Sequence, residues 1–470
     1  MSTAEPTAAD PSAADLEADL AVIGYGKGGK TLAATLARQG RRVVMIEQSA
    51  QMYGGTCINI GCVPTKSMVY RSEHLTPGAA HDAEYRQAVT ATAELTAGLR
   101  ATNLAMLDTL DTATVLTGRA RFADPHTLMV TGADGRELRV SAAHIVIGTG
   151  SEPVIPDLPG LRASAATVTS TSLLASADLP RRLVVLGGGY VGLEFAAMYA
   201  QYGAQVTVIE HHDRILGGED DDVADCARDI LAATLTVHTS AAVIRVEDRT
   251  DGTATVHFER DGVPGTADAD LVLAALGRRP VTAGLGLAGA GVVLTDRGAI
   301  AVDPHLRTSQ PHIFAVGDVN GGPQFTYISL DDYRIVLDQL TGAGTRSTTD
   351  RVAVPYSLFI TPPLSRVGIT EREARAAGRR VKVASKPVAE LATMPRARIV
   401  SDPRGLMKVV VDADTDQILG AALLSHDSHE VINTVALAMR HGITAGTLRD
   451  EIYTHPSMTE GFNQLLGALV

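Results

Sequence analysis

Tryptophan is absent from the 470 residues, and aromatic side chains make up only 4%. Platforms that stack single-stranded bases need such rings, so that class of partner is disfavoured. Positive charge is short as well: 41 Lys and Arg face 53 Asp and Glu, a formal net charge of −12. A phosphate backbone selects the opposite balance, so no nucleic-acid partner is expected. Cysteine is scarce, three residues in all. That is too few for a disulfide-stapled secreted scaffold, and a reducing, cytoplasmic compartment fits. No uninterrupted apolar run approaches membrane-spanning length, so no membrane partner is expected. The first 18 residues are rich in Ala, Pro and Asp and lack the basic start and apolar run of a signal peptide. They are expected to form a disordered leader.

What is present is an ordinary globular composition, 45% hydrophobic and 20% charged, in a length suited to about three domains. Two of the three cysteines fall in one stretch, Gly54-Gly55-Thr56-Cys57-Ile58-Asn59-Ile60-Gly61-Cys62-Val63-Pro64-Thr65-Lys66. A zinc site wants four N or S ligands, and Cys226 is remote and alone. A structural disulfide across so short a loop removes little unfolded-state entropy. A pair that opens and closes in redox chemistry is the favoured reading.

Two dinucleotide-binding patterns flank this picture. Residues 19–23 read as a buried strand, followed by Gly24-x-Gly26-x-x-Gly29, a helix over 30–38, and a strand over 42–46 ending on Glu47. Residues 182–186 repeat the strand, followed by Gly187-x-Gly189-x-x-Gly192, a helix through Tyr202, and a strand over 205–209 ending on Glu210. The interval from first glycine to acid is 23 residues in both copies. Such glycines allow a tight turn, close backbone approach to a pyrophosphate and close helix packing, while the acid takes ribose hydroxyls. One match alone is a common βα turn; two in one chain imply two dinucleotides beside a redox pair.

Elsewhere, 67–110 reads as helical and 144–151 as the end of a β-rich region. The Pro/Gly clusters at 153–160 and at Leu276-Gly277-Arg278-Arg279-Pro280 mark domain crossings. Residues 313–318 read as a short strand ending on Gly317-Asp318. Asp318 can accept hydrogen bonds from a sugar alcohol or cap the next helix. Residues 342–351 read as a linker. Thr370-x-x-Glu373 is a capping box opening a helix stopped at Gly378.

The redox stretch between two GxGxxG units, followed by a Gly-Asp strand, resembles the class I pyridine nucleotide–disulfide oxidoreductases over about 19–466. Within that family the chain looks most like the RclA-type reductases of the bacterial reactive-chlorine response. The stretches that carry this are Met52-Tyr53, 324–336 (QFTYISLDDYRIV), 361–368 (TPPLSRVG), 395–398 (PRAR) and 453–458 (YTHPSM). The resemblance implies an α/β homodimer with two doubly wound, Rossmann-like domains and an α+β dimerisation domain. An FAD-binding domain is expected at 19–155 and 281–345, an NAD(P)-binding domain at 156–280 and the interface domain at 352–470. Gly24, Gly26, Gly29, Glu47, Gly55, Thr56, Ala120, Gly150 and Asp318 would hold FAD. Gly187, Gly189, Gly192, Glu210 and Gly277 would hold NADH, with NADPH possible, and Tyr190 would gate the nicotinamide. Cys62 would face the flavin and Cys57 would be the interchange thiol. Lys66 would sit near the flavin paired with Glu194, although it also suits a solvated helix face, as Tyr190 suits plain packing. His455, oriented by Glu460, would be the acid–base for the partner subunit's dithiol; Ser457-x-x-Glu460 is also a capping box, so Glu460 has a second possible role.

Copper(II) is the favoured acceptor, with Cys57 and Cys62 as its ligands, because soft thiolates favour the Cu(I) product. No cysteine follows Cys226, so C-terminal metal-handling thiols are missing. The segment 425–430 (SHDSHE) offers His and carboxylate ligands but reads better as a capped helix start, and His211-His212 reads better as a solvated loop than as a ligand pair. The rivals are a dihydrolipoamide-type or other small disulfide reductase, and a redox-sensing flavoprotein.

Overall fold

The computed structural model describes residues 16–470. Positions 1–15 of the expected leader lie outside the described residues. Its last three, 16–18, do not behave as leader: they open the strand Leu16–Ile23, with Leu16 opposite Val140 and Ala18 opposite Ala142. Pairing with a distant strand extends this element beyond its apolar run, and composition cannot show that.

The chain divides into two compact units. The first comprises 16–65, 91–152 and 278–350, and the second 66–90, 153–277 and 351–470. In the first, a seven-stranded sheet runs in the order Ala113–Thr117, Val43–Glu47, Leu16–Ile23, Glu137–Ile147, Thr127–Thr131, Arg119–Asp124, and Ile313–Ala315 also pairs with Glu137–Ile147. Its first four strands and Ile313–Ala315 are parallel. Val43–Glu47 is buried at all five positions, as a parallel strand covered on both faces should be. The strand order reverses between Leu16–Ile23 and Glu137–Ile147, and such a switch point opens a crevice at the strands' carboxyl ends.

The second unit repeats the arrangement. Leu235–His238, Gln205–Ile209, Arg182–Leu186, Leu271–Ala274 and Thr167–Val168 form a five-stranded parallel sheet, again reversing beside the first strand of its glycine motif. This unit also holds an antiparallel sheet in the order Tyr356–Leu358, Leu364–Gly368, Ile418–Leu424, Leu406–Asp412, Val381–Pro387. Its inner face (Val367, Val409, Val411, Leu423) packs on Val431, Ile432 and Val435 of the helix Ser428–Arg440 and on Phe462 and Leu465. The fold is thus α/β with two Rossmann-like sheets and an α+β C-terminal part.

The helical region splits into Cys62–Glu73 and His81–Asp108. Pro77 biases Thr76 away from helix, and Gly78 turns the chain at φ +81°. Residues 66–90 pack in the second unit, where Tyr85 OH meets Tyr199 OH at 2.8 Å. The capping box forms as expected, Thr370 Oγ1 accepting Glu373 N–H at 3.0 Å and Glu373 accepting Thr370 N–H at 2.7 Å. The expected linker is tied down instead: Arg346 N–H donates to Asp338 and Thr348 N–H to Pro304 O. Among the described residues, no helix is long and apolar enough to cross a membrane.

Candidate active site

The two glycine motifs are superimposable in chemistry. A Cβ on the first glycine would strike a carbonyl of the strand across the switch point: Gly24 would meet Gly148 O at 2.3 Å, and Gly187 would meet Ala275 O at 2.6 Å. A Cβ on the third glycine would strike its own turn, Gly29 at 3.0 Å from Gly24 O and Gly192 at 2.1 Å from Gly187 O. The second glycines are open: Gly26 would meet only Gly148 O at 3.6 Å, and Gly189 nothing within 4 Å. Two glycines close the fold and the middle one leaves backbone bare, which is what a bound pyrophosphate needs.

The acids repeat too. Glu47 accepts the N–H of Tyr25 at 2.9 Å and of Ser49 at 3.3 Å; Glu210 accepts the N–H of Gly188 at 2.6 Å and of His212 at 2.8 Å. Each partner is the residue after the first glycine and the residue two beyond the acid. Burial pushes the Glu47 carboxyl up. Burial acts on Glu210 in the same direction, but the N–H groups of His212 and Gly188 and the His212 ring outweigh it and hold Glu210 below the usual range.

In the first unit the redox stretch lies against this motif. Gly55, at φ +79°, packs so closely that a Cβ would come within 2.6 Å of Gly26 Cα. Thr56 opens the short helix Thr56–Asn59, and Gly150 lies beside its hydroxyl. Asn59 Nδ2 braces the loop on Tyr53 O and Gly55 O, and Arg100 Nε donates to its Oδ1 at 2.9 Å. Cys62 starts the helix Cys62–Glu73, and its Sγ, exposed, is 3.4 Å from Thr326 Oγ1. Cys57 is half-buried and hydrogen-bonded to Cys62; that bond and burial push its thiol well up, with Lys30 acting in the opposite sense. Asp318 lies in the turn Gly317–Asn320 and accepts Ser151 Oγ–H at 2.6 Å; the next helix is capped at Phe325, so the capping alternative fails. Ala120 is a core residue of the strand Arg119–Asp124, able to offer only backbone to a ligand.

Residues that sequence reasoning missed complete the site. Lys30 is 3% exposed, donates to Gly54 O at 3.2 Å and to Asn103 Oδ1, and burial pulls its ammonium down to about 8. Arg278 Nε donates to Ser151 Oγ at 2.9 Å, extending the Asp318 chain. Neither has a local signal: their partners lie far away in sequence.

In the second unit Lys66 Nζ and Glu194 Oε2 pair at 2.7 Å, as expected. Glu194 Oε1 accepts Phe359 N–H at 2.9 Å, and Lys66 Nζ sits 4.8 Å from the Phe359 ring centre, a cation–π contact. Lys66 is therefore not a free solvated residue. Tyr190 opens the helix Tyr190–Gln201, is 41% exposed, and tilts against Tyr356, whose hydroxyl donates to Glu219 Oε1 at 3.3 Å. Gly277, at φ +106°, faces open space. His455 Nδ1 meets Glu460 Oε2 at 2.9 Å, while Glu460 Oε1 accepts Ser457 N–H at 2.8 Å and Ser457 Oγ accepts Glu460 N–H at 3.2 Å. The carboxylate orients His455 and closes the turn with Ser457, but the expected capping box does not open a helix, because the helix Gly461–Leu465 begins one residue after Glu460, which takes the N-cap position without a side-chain cap bond. Burial acts upward on it, and His455 and the Ser457 N–H outweigh that and hold it low. In the 425–430 segment Asp427 occupies the cap position without a side-chain cap bond, and Ser428 Oγ–H goes to Pro363 O at 2.7 Å.

The Lys66 pair supports a stability prediction. Glu194 has a 9%-exposed side chain and Lys66 a 32%-exposed one. Lys66→Met leaves the carboxylate with Phe359 N–H alone, and should cost about 1–3 kcal/mol, below the full loss for a wholly buried pair. An unchanged melting temperature would contradict this.

Comparison with known proteins agrees with the geometry. The pyridine nucleotide-disulphide oxidoreductase profile matches residues 18–332, and the dimerisation domain of the same family matches 354–466. The chain is 45% identical over 445 residues to the probable pyridine nucleotide-disulfide oxidoreductase RclA of Escherichia coli K12, covering 94% of this chain and 97% of that one. It is 33% identical over 466 residues to dihydrolipoyl dehydrogenase of Mycobacterium tuberculosis, covering 96% and 98%. A solved Cu(II) complex of the HOCl-induced flavoprotein disulfide reductase RclA from E. coli superposes with a TM-score of 0.91 at 44% identity, covering 96% and 99% of the two chains. The chain is an enzyme of the pyridine nucleotide-disulphide oxidoreductase family.

Proposed function

We propose that this protein is an NAD(P)H-dependent flavoprotein that reduces copper(II) through the Cys57–Cys62 pair, as part of a reactive-chlorine stress response. The observation that carries the reading is the hydrogen-bonded Cys57/Cys62 pair beside the first glycine motif. The solved Cu(II) complex of the E. coli relative supports the metal.

Glu47, Gly26, Gly55, Thr56, Gly150 and Asp318 would hold FAD, which when bound supplies two-electron transfer between nicotinamide and thiols. Gly189, Gly277 and Glu210 would hold the pyridine nucleotide, and Tyr190 would cover its ring. Cys62 would be the flavin-side thiol and Cys57 the interchange thiol. One turnover converts NADH and two Cu2+ to NAD+, H+ and two Cu+. Thiolate softness favours the Cu+ product.

Glu210 sits where a 2′-phosphate would lie, and like charges repel. NADH should therefore exceed NADPH in kcat/KM by at least about tenfold, one 1.4 kcal/mol step. Side-by-side titration with both nucleotides decides it, and equal values would remove Glu210 as the discriminator.

The dimerisation-domain match supports a dimer of two chains related by a twofold axis, and His455 of one chain would then serve the dithiol of the other. Sedimentation should find a dimer, and an active monomer would refute both statements. The His455–Glu460 pair favours a second reading, a small-disulfide reductase. The single test is NADH-driven Cu(I) formation, followed with a Cu(I) chelator, against a disulfide panel. Turnover below about one per minute with every acceptor would instead favour a redox sensor, since ordinary enzymes run at about 1–1,000 per second.

A further inference from the structure

A second group of ligand-type side chains converges away from the cysteines. At the end of the strand Gln205–Ile209, Glu210, His211 and His212 bring one carboxylate oxygen and two imidazole nitrogens within 4.8 Å of one another. Among the described residues no other set of three or more His, Cys, Asp or Glu side chains does so. His212 Nδ1 lies 2.6 Å and His211 Nδ1 3.0 Å from the same atom, Glu210 Oε1. The loop is solvated as expected, and its two rings also converge on one oxygen.

We propose that Glu210, His211 and His212 bind a divalent late transition-metal ion of the Cu2+ and Zn2+ class, and that the bound ion competes with the pyridine nucleotide. Imidazole and carboxylate together suit zinc and copper, and both bond N and O ligands at about 2.0–2.1 Å. Ligands at that bond length stand about 3.3 Å apart around a tetrahedral ion, so the rings, now at hydrogen-bond distance from Oε1, need to open by only about 0.3–0.7 Å to admit one. The carboxylate is fixed: its side chain is 7% exposed and the N–H groups of Gly188 and His212 hold its two oxygens. The rings are 66% and 68% exposed, so they can rotate onto an ion without disturbing the fold. Buried anchor and mobile exposed donors make a site that forms by side-chain rotation alone.

The competition arm rests on the reading of Glu210 as the ribose acid; the binding arm does not. A ribose diol and a metal ion would both draw on the one Glu210 carboxylate, so occupancy by one disfavours the other. By linkage, the factor by which metal weakens nucleotide binding equals the factor by which nucleotide weakens metal binding. A metal that is also the acceptor would then throttle its own electron supply when in excess.

Zn2+ is the probe, because it undergoes no redox chemistry. The holoenzyme is kept oxidised, so that Cys57 and Cys62 are locked as a disulfide and offer no thiolate. Calorimetric titration with Zn2+ should find a site in the wild type that weakens by about 100-fold or more in His211→Gln/His212→Gln, at least the cost of disturbing a ligand's supporting shell. In chelator, the double variant should turn over NADH as the wild type does, which shows that it is folded. With the enzyme still oxidised, Zn2+ should raise the Kd for NAD+ in the wild type and leave that of the variant unaffected. Zinc affinity equal in both proteins overturns the metal site. Histidine-dependent zinc binding that leaves the Kd for NAD+ unchanged supports the metal site and overturns the competition.

Discussion

Replacing His455 with alanine should lower NADH-driven disulfide reduction by about 100- to 10,000-fold, the usual cost of losing a general acid, and leave copper(II) reduction within about tenfold. A disulfide substrate releases a thiolate that must be protonated, whereas Cu2+ takes an electron and needs no proton. The side chain is built for the former task. It is 70% exposed, and Glu460 holds Nδ1 at 2.9 Å, which leaves Nε2 for a substrate. Glu460 is in turn fixed through its other oxygen by Ser457 N–H. Initial rates with both acceptors, in wild type and variant at equal flavin content, give the ratio. Equal losses with copper and disulfide would sink the separation, and would mean that His455 is a copper ligand or that copper is reduced through the same proton-coupled step.

Either cysteine variant should abolish disulfide reduction, by about 1,000- to 1,000,000-fold, the range seen when a nucleophile is removed. Attack on a disulfide needs one thiolate, and release from the mixed disulfide needs a second. With Cys57 as the interchange thiol, Cys62→Ser should stall after one attack and carry the substrate's thiol on Cys57, visible as an added mass. Cys57→Ser should carry none. The reverse labelling would exchange the two roles. Copper reduction should fall in both variants if the dithiol holds the metal. Its survival in Cys57→Ser would show that electrons leave without passing through the pair.

The sequence is most readable where cause is local. Gly24 to Glu47 and Gly187 to Glu210 lie within single βαβ units, so spacing alone announces strand, turn, helix and acid, though not the backbone N–H bonds that each acid accepts. The Thr370 and Glu373 box is a three-residue statement and appears as written, whereas Ser457 and Glu460 exchange the same pair of bonds around a turn and the helix starts only at Gly461. Lys30 and Arg278 escaped because their partners, Asn103 and Ser151, arrive from elsewhere in the chain, and a lysine in a helix usually points to water. Leu16 escaped because its strand is made by pairing with Val140, not by its own neighbours. His211 and His212 are as solvated as the sequence suggests, with rings 66% and 68% exposed, but adjacency in sequence says nothing of where two rings point, and here both turn to one oxygen.

The strand Ile313–Ala315 lies beside Ile145–Ile147 although the whole second glycine unit is encoded between them. A ribosome adding about 5–20 residues per second delivers that strand about 10–30 s after its neighbour. Throughout that interval Ile145, Val146 and Ile147, all fully buried in the finished protein, present an open apolar strand edge to the cell. The enzyme's birth therefore includes a window of aggregation risk set by gene order, and crowded or heat-stressed synthesis should damage nascent chains more than it damages finished ones.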